Sequence, residues 1–226
     1  FPQEALKESA CRIIDNEGGK VFQYSTTEGH LPLRRFVADK YNRNFGLNIT
    51  PEDILITTGS QQALDLIAKV LLNKGDRVII EEPGYLGAIQ AFCMFEPEFM
   101  PVTLEDDGLN LEKLEEALKQ EHVKFAYVVP NFQNPTGLTY TKERREAVCA
   151  LFDKYDTVLV EDDPYGELRF KGEKLPYIGA GKLAHSVLLG TFSKTVTPGM
   201  RLGFVITQDR ELMHHLVTAK QSSDLH

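Results

Sequence analysis

Short apolar runs alternate with helical segments along the chain from about residue 50 onward. Seven runs read as strands, at 54–57, 77–80, 99–102, 125–129, 158–161, 187–190 and 202–206. Amphipathic helical patterns separate the first five runs, at about 61–72, 86–95, 111–120 and 142–155. Because nearly continuous apolar strands joined by helices form parallel sheets that are covered on both faces, the pattern predicts an α/β fold.

The final run differs from the others in its connection. Only about ten residues without a helical pattern separate the runs at 187–190 and 202–206, whereas a parallel crossover needs a dozen or more. The last strand should therefore run antiparallel to its predecessor or lie apart from it. We predict a mostly parallel seven-stranded sheet with one antiparallel strand and helices on both faces. Lys194 then lies at the carboxyl end of a parallel strand, the edge where open α/β sheets bind ligands.

The segments on either side of this pattern have a different character. Amphipathic helices are predicted at 2–14 and 31–45, with a polar segment between them. We predict an N-terminal helical and irregular segment over 1–50, an α/β major domain over 51–207, and the start of a helix over 208–226 that leads to a further domain. Because the chain begins on a phenylalanine and stops inside a helical pattern, we expect a piece of a longer protein.

Composition narrows the possible functions. The net charge of −8 argues against a nucleic-acid surface on this segment, because such surfaces are usually basic. No apolar run approaches the roughly 20 residues of a membrane span. The three cysteines lack CxxC spacing and lie in apolar surroundings, so we expect buried thiols, a reducing compartment and a cytoplasmic protein. No residue is assigned to a metal.

Chemically active side chains follow the predicted strands at their carboxyl ends. Gly59, Ser60 and Gln61 open a helix whose free backbone amides can bind an anion, although Ser60 could simply cap that helix. Three consecutive acids centred on Asp162 end a later strand, where they either meet hydrogen-bond donors or form a solvated turn. Lys194 is either a solvated cation or an amine whose pKa is lowered by burial in a dry pocket.

An aromatic ring, an amide and a guanidinium join this edge of the sheet. Tyr85 follows the second strand, Asn134 lies in a polar loop after the fourth, and Arg201 comes one short loop after Lys194. A phosphorylated, planar, cationic heterocycle with an aldehyde would use all of these groups. Lysine would form an imine, a carboxylate would pair with the ring nitrogen, the aromatic would stack, and the helix start and arginine would hold the phosphate. That description fits pyridoxal phosphate.

The sequence resembles the fold-type I aminotransferases of class I/II, and within them the branch that contains 2-aminoadipate and kynurenine aminotransferases. The resemblance runs from about residue 24 to 206. It rests on five segments in the family's order and spacing, at 59–65, 82–85, 131–137, 161–165 and 193–203. It implies pyridoxal 5'-phosphate as cofactor and transfer of an amino group between an amino acid and a 2-oxo acid.

The resemblance also implies a role for each matching residue. Lys194 would be the Schiff-base lysine and proton shuttle, Asp162 would contact the pyridine nitrogen, and Tyr85 would stack on the ring. The candidates for binding the phosphate are Ser60, Gln61, Ser193 and Arg201, and Thr191 is a weaker one. Asn134 and Tyr165 would bind the phenolic oxygen, and Gly59 is a further cofactor-binding candidate. Tyr24 resembles a tyrosine that family members lend to the partner subunit, which implies a homodimer with composite sites.

Two other functions stay open at this point. Winged-helix transcription regulators of the MocR type carry an aminotransferase-like ligand-sensing domain, and this chain could follow such a DNA-binding domain. A lyase or decarboxylase could use the same scaffold. Family members usually supply the arginine for the substrate's α-carboxylate from a C-terminal domain. Since Arg34, Arg35 and Arg169 do not match its motif, we assign that role to no residue of this chain.

Overall fold

Helices and strands alternate through most of residues 1–224, the part of the chain that the computed structural model describes. Its α-helices are α1 Gln3–Glu17, α2 Leu31–Phe45, α3 Ser60–Leu71, α4 Leu86–Cys93, α5 Leu111–Leu118, α6 Lys142–Tyr155 and α7 Arg210–Gln221. Its strands are β1 Ile54–Thr57, β2 Arg77–Glu82, β3 Glu98–Glu105, β4 Gly108–Leu109, β5 Val123–Val128, β6 Val158–Asp162, β7 Ser186–Thr191 and β8 Gly203–Ile206. None of these helices is long and apolar enough to cross a membrane.

The eight strands form one mixed sheet in the order β1-β8-β7-β6-β5-β2-β3-β4. β8 pairs antiparallel with β1 and β7, β4 pairs antiparallel with β3, and the other neighbours are parallel. The predicted α/β sheet, mostly parallel with an antiparallel final strand, is confirmed. The sequence predicts seven strands, whereas the sheet has eight. The additional strand, β4, has only two residues and is too short to give an alternating pattern.

The connection between β7 and β8 determines where Lys194 lies. β7 and β8 pair through Thr191 and Gly203, so the residues between them form a loop at the carboxyl edge of the sheet. The backbone amide of Phe192 donates to the Leu202 carbonyl at 3.0 Å and closes the base of this loop. The antiparallel return therefore holds Lys194 beside the ends of the parallel strands.

Helices cover both faces of the sheet, as the pattern predicts. Along β2, Val78 and Ile80 belong to one core and Ile79 to the other, which is the alternation expected of a strand buried on both faces. The first core includes Leu64 of α3, Phe92 of α4 and Leu216 of α7, and the second includes Leu114 of α5 and Phe152 of α6. α2 packs Tyr41 against β8 in a third cluster. Burying each such side chain stabilises the fold by about 1.5–3 kcal/mol.

The two ends of the chain pack differently. α1 lies where the sequence predicts a helix, but Ile13 and Ile14 on its apolar side are 50% and 46% exposed, and none of its residues is buried. α7 instead buries Leu212, Met213 and Leu216 in the first core. The division of the chain at residues 50 and 207 stays a prediction.

The cysteines are less buried than predicted. Cys11 and Cys93 are exposed and Cys149 is half-buried. Cys11 belongs to α1, which buries no residue, and Cys93 is the last residue of α4. The cytoplasmic location that we inferred from these thiols stays a prediction.

Candidate active site

A cavity of about 160 Å³ opens at the carboxyl edge of the sheet, which is space for a small organic molecule rather than for one water. Ten predicted site residues line it: Ser60, Gln61, Tyr85, Asn134, Asp162, Tyr165, Thr191, Ser193, Lys194 and Arg201. These residues lie at the carboxyl ends of five different strands or in the segments that follow them. The parallel sheet therefore brings them together, as their positions at the strand ends predict.

The start of α3 forms one wall of the cavity. Ser60 is the first helical residue and Gly59 is the N-cap, so the alternative in which Ser60 caps the helix does not hold. A Cβ at Gly59 would lie 2.6 Å from Nη2 of Arg201, and its φ is +79°. Glycine thus permits both the backbone conformation and the close approach of the guanidinium. The guanidinium and the free amides of a helix start both attract anions, so this wall suits a phosphate.

Lys194 lies across the cavity, in the loop between β7 and β8. Its Nζ is 5.8 Å from the ring centroid of Tyr165, and Nδ2 of Asn134 donates to the Tyr165 hydroxyl at 3.4 Å. Amine, phenol and amide therefore converge at one end of the cavity. The Lys194 side chain is exposed, which contradicts the expected dry pocket, because its loop forms the rim of the cavity.

Two of the three consecutive acids at the end of β6 are fixed by structural hydrogen bonds. Glu161 is buried and accepts from the backbone amide of Ile178 at 2.9 Å. Asp163 is also buried and accepts from the Asn131 amide at 3.0 Å and from the Tyr177 hydroxyl at 2.8 Å. Hydrogen-bond donors compensate much of the cost of burying these carboxylates. The alternative of a solvated acidic turn is therefore wrong.

Asp162 differs from both neighbours, because it lines the cavity. Its Oδ2 accepts from the Tyr127 hydroxyl at 2.7 Å, while its Oδ1 is buried without a hydrogen-bond partner among the described residues. Burial raises the pKa of Asp162 to about 7. The hydrogen bond from Tyr127 lowers this pKa, and the charges of Asp163 and Glu81 raise it further. A buried acceptor atom without a partner favours a ligand that brings an N–H or a positive charge.

Tyr85 supplies the aromatic side of the cavity. Tyr85 is the N-cap of α4. A Cβ on Gly87 would lie 2.7 Å from Cζ of Tyr85, so the Tyr85 ring can lie here only because residue 87 has no side chain. Burial, then the charge of Asp162, raises the pKa of Tyr85. The phenol therefore stays neutral, and the cavity wall contains an aromatic ring against which a planar group can pack.

The chain matches the family described as aminotransferase class I and II over residues 2–223. It belongs to that family. It is 43% identical to the 2-aminoadipate transaminase of Thermus thermophilus over 232 residues, which cover 100% of this chain and 56% of that protein. Its structure also resembles Pyrococcus horikoshii kynurenine aminotransferase, solved with PMP and KYN, with a TM-score of 0.94 and 42% identity over 100% of this chain and 57% of the other.

These comparisons confirm the resemblance to the class I/II aminotransferases and to their 2-aminoadipate and kynurenine branch. The chain spans little more than half the length of these two relatives. The chain is also similar to a protein of another class. The Escherichia coli HTH-type transcriptional regulator YdcR, described as uncharacterised, is 33% identical over 91% of this chain and 44% of its own length.

Two predicted site residues do not line the cavity. Gly59 adjoins it through its contact with Arg201. Tyr24 is 79% exposed and lies in the segment between α1 and α2. A role for Tyr24 in a partner subunit is not tested by one chain, and it stays a prediction.

Sequence reasoning missed five residues that line the cavity, which are Leu64, Tyr127, Val129, Pro164 and Pro198. Tyr127 matters most, because its hydroxyl binds Asp162. It lies inside the apolar run at 125–129, which predicts a strand and does not distinguish Tyr127 from its apolar neighbours. The parallel register could have revealed it, since Tyr127 pairs with Val160, two residues before Asp162, and residues two apart point to one face.

Proposed function

We propose that the full-length protein is a pyridoxal phosphate-dependent aminotransferase that moves an amino group between an amino acid and a 2-oxo acid. The observation that carries this proposal is the partnerless buried Oδ1 of Asp162, in the cavity that Lys194 also lines. Family membership supports the reaction class. Identity is higher to the 2-aminoadipate transaminase, at 43%, than to the regulator, at 33%.

The residues present fit the cofactor. When bound, pyridoxal phosphate supplies a ring that accepts electrons from the substrate's α-carbon. Its phosphate would be held by Ser60, Gln61, Ser193 and Arg201, with Thr191. Its phenolic oxygen would be held by Asn134 and Tyr165. Asp162 would accept the N–H of the ring nitrogen and keep it protonated, and Tyr85 would pack on the ring face. The Lys194 amine would attach the cofactor and would be released when the substrate's amino group takes its place. The free amine would then take the α-proton and return it at the cofactor carbon to which it had been attached.

A panel of amino acids tests the proposal on the full-length protein loaded with pyridoxal phosphate. With a substrate, we expect the absorbance of the cofactor to change to that of pyridoxamine phosphate, together with release of a 2-oxo acid. Stoichiometric ammonia with pyruvate would identify a lyase instead. Binding of an amino acid with no amine product at any member of the panel would contradict the aminotransferase and favour a ligand-sensing module.

We also propose that the protein is a homodimer with composite sites, to which each subunit gives Tyr24. The support is the exposed apolar surface that precedes α2, including Phe22 at 76% exposure and Ile13 at 50%. Such side chains on one segment are typical of an interface. An interface built on them would bring Tyr24 of one chain to another copy.

Mixing two inactive variants tests this dimer. Lys194→Ala removes the amine from a subunit's own site, and Tyr24→Ala removes the residue that it would give to its partner. Random reassociation makes about half of the dimers mixed, each with one intact site, so activity should return to about a quarter of the wild-type value. If no activity returns although the subunits exchange, Tyr24 acts within its own subunit. If Tyr24→Ala alone is as active as the wild type, Tyr24 has no role in the site.

A further inference from the structure

A buried carboxylate lies behind the cavity without lining it. Glu81, in β2, is 1% exposed. Its Oε1 accepts from the Tyr140 hydroxyl at 2.6 Å and the Val129 backbone amide at 3.0 Å, and its Oε2 accepts from Nε2 of Gln133 at 2.9 Å. No ion pair found among residues 1–224 includes Glu81. Burying an unpaired carboxylate is costly even with three donors, so an apolar residue here would cost the fold less.

Gln133 links this carboxylate to the loops on either side of it. Its Nε2 donates a second hydrogen bond to the Pro83 carbonyl at 2.8 Å. Its Oε1 accepts from the backbone amide of Thr136 at 2.9 Å and from the Thr136 hydroxyl at 2.7 Å. The amide thus uses two donors and two acceptor positions. It has a single orientation, because a flipped amide would turn its oxygen toward Glu81.

Both loops joined in this way carry residues of the proposed cofactor site. Pro83 lies two residues before Tyr85, and Gln133 directly precedes Asn134. We propose that Glu81 is a positioning residue, which acts through Gln133 to fix Tyr85 and Asn134 relative to each other across the cavity. The effect on cofactor binding rests on the proposed function, whereas the link between the loops does not depend on it.

The alternative is that Glu81 only stabilises the core. The two ideas differ for Tyr140, which binds the other oxygen of Glu81 but makes no contact with Gln133 among the hydrogen bonds of the described residues. A core role makes Tyr140 and Gln133 equivalent partners. A positioning role makes Gln133 the partner that matters for the cofactor, and Tyr140 one that matters for stability alone.

Glu81→Gln tests the proposal, because an NH₂ group placed among three donors leaves at least one of them unmatched. We expect about ten-fold weaker binding of pyridoxal phosphate in an absorbance titration, the usual scale for loss of a supporting hydrogen bond. In the cofactor-free protein, the backbone amides of Gln133 and Thr136 should exchange with deuterium faster. Glu82→Gln, at the exposed neighbouring carboxylate, is the matched control and should change neither quantity.

Two further variants separate positioning from core stability. Tyr140→Phe should lower the unfolding midpoint and leave cofactor affinity unchanged, whereas Gln133→Ala should weaken binding as much as Glu81→Gln. The double variant should bind no more weakly than either single one, because both act through one link. Gln133→Ala also carries the test if Glu81→Gln does not fold.

Several outcomes would overturn the proposal. Wild-type affinity in folded Glu81→Gln, equal weakening in Tyr140→Phe, or additive losses in the double variant would each assign Glu81 to the core alone. If the wild-type protein itself fails to bind pyridoxal phosphate, the proposed function fails. Hydrogen exchange in the cofactor-free protein then still decides whether Glu81 orders the two loops.

Discussion

Lys194→Ala is expected to abolish covalent retention of pyridoxal phosphate and to lower amino-group transfer by at least about 10³-fold. Among the described residues that line the cavity, Lys194 alone carries a primary amine. Without it, no side chain there can attach to an aldehyde or carry the α-proton. Arg201 and the start of α3 remain, so weaker, non-covalent binding should persist. Borohydride reduction followed by intact-mass measurement distinguishes attached from merely bound cofactor.

Two control variants make this result specific to the amine. Lys182→Ala removes an exposed lysine outside the cavity and should change neither retention nor turnover. Lys194→Arg keeps the positive charge, but a guanidinium stays protonated and is a poor nucleophile, so it should fail like alanine. A reduced protein that still carries the cofactor mass in Lys194→Ala would place the attachment elsewhere.

The strand-end residues could be predicted from sequence because two local signals coincide there. Asp162 directly follows the apolar run at 158–161, and Lys194 comes four residues after the run at 187–190. A parallel sheet brings the carboxyl ends of its strands to one edge. A residue that follows a predicted strand can therefore be placed at this edge of the sheet from the sequence alone. The same reasoning gives the antiparallel β8, since the connection after β7 is too short for a crossover.

The residues that support the site could not be predicted in this way. Glu81 and Gln133 are 52 positions apart, and their contact depends on side-chain directions that no periodic pattern encodes. Tyr127 was hidden inside an apolar strand, where an aromatic usually means core packing. The exposure of Ile13 on α1 was equally out of reach, because amphipathicity shows that a helix has an apolar side but not what covers it.

Asp162→Asn should stabilise the cofactor-free protein near pH 8 relative to the wild type, although it should impair function. Burial raises the pKa of Asp162 to about 7, from an ordinary 3.8. The raised pKa favours the folded state fully below about pH 4, and this contribution is lost as the pH rises through 7. Asparagine does not titrate, so its stability relative to the wild type should grow by about 2–4 kcal/mol between pH 4 and pH 8.

Urea unfolding of both proteins at several pH values measures this difference. The pKa of Glu161 is also raised to about 7 by burial, but Glu161 titrates in both proteins and cancels in the comparison. Asp153→Asn, at an exposed position of α6, should show no such pH-dependent gain. If the difference in stability between the two proteins is the same at all pH values, the site does not raise the pKa of Asp162.

Binding of pyridoxal phosphate should reverse the order of stability. A protonated ring nitrogen would give the partnerless Oδ1 of Asp162 the donor and the positive charge that its site lacks, whereas an asparagine amide cannot hold that proton in place. We therefore expect the cofactor to stabilise the wild type more than the variant, and turnover in Asp162→Asn to fall by about 10²–10⁴-fold. Undiminished turnover would instead limit Asp162 to accepting the Tyr127 hydroxyl. A binding role for Asp162 thus predicts opposite effects of one substitution, a gain of stability without the cofactor and a loss with it, whereas a purely structural role predicts the same effect in both states.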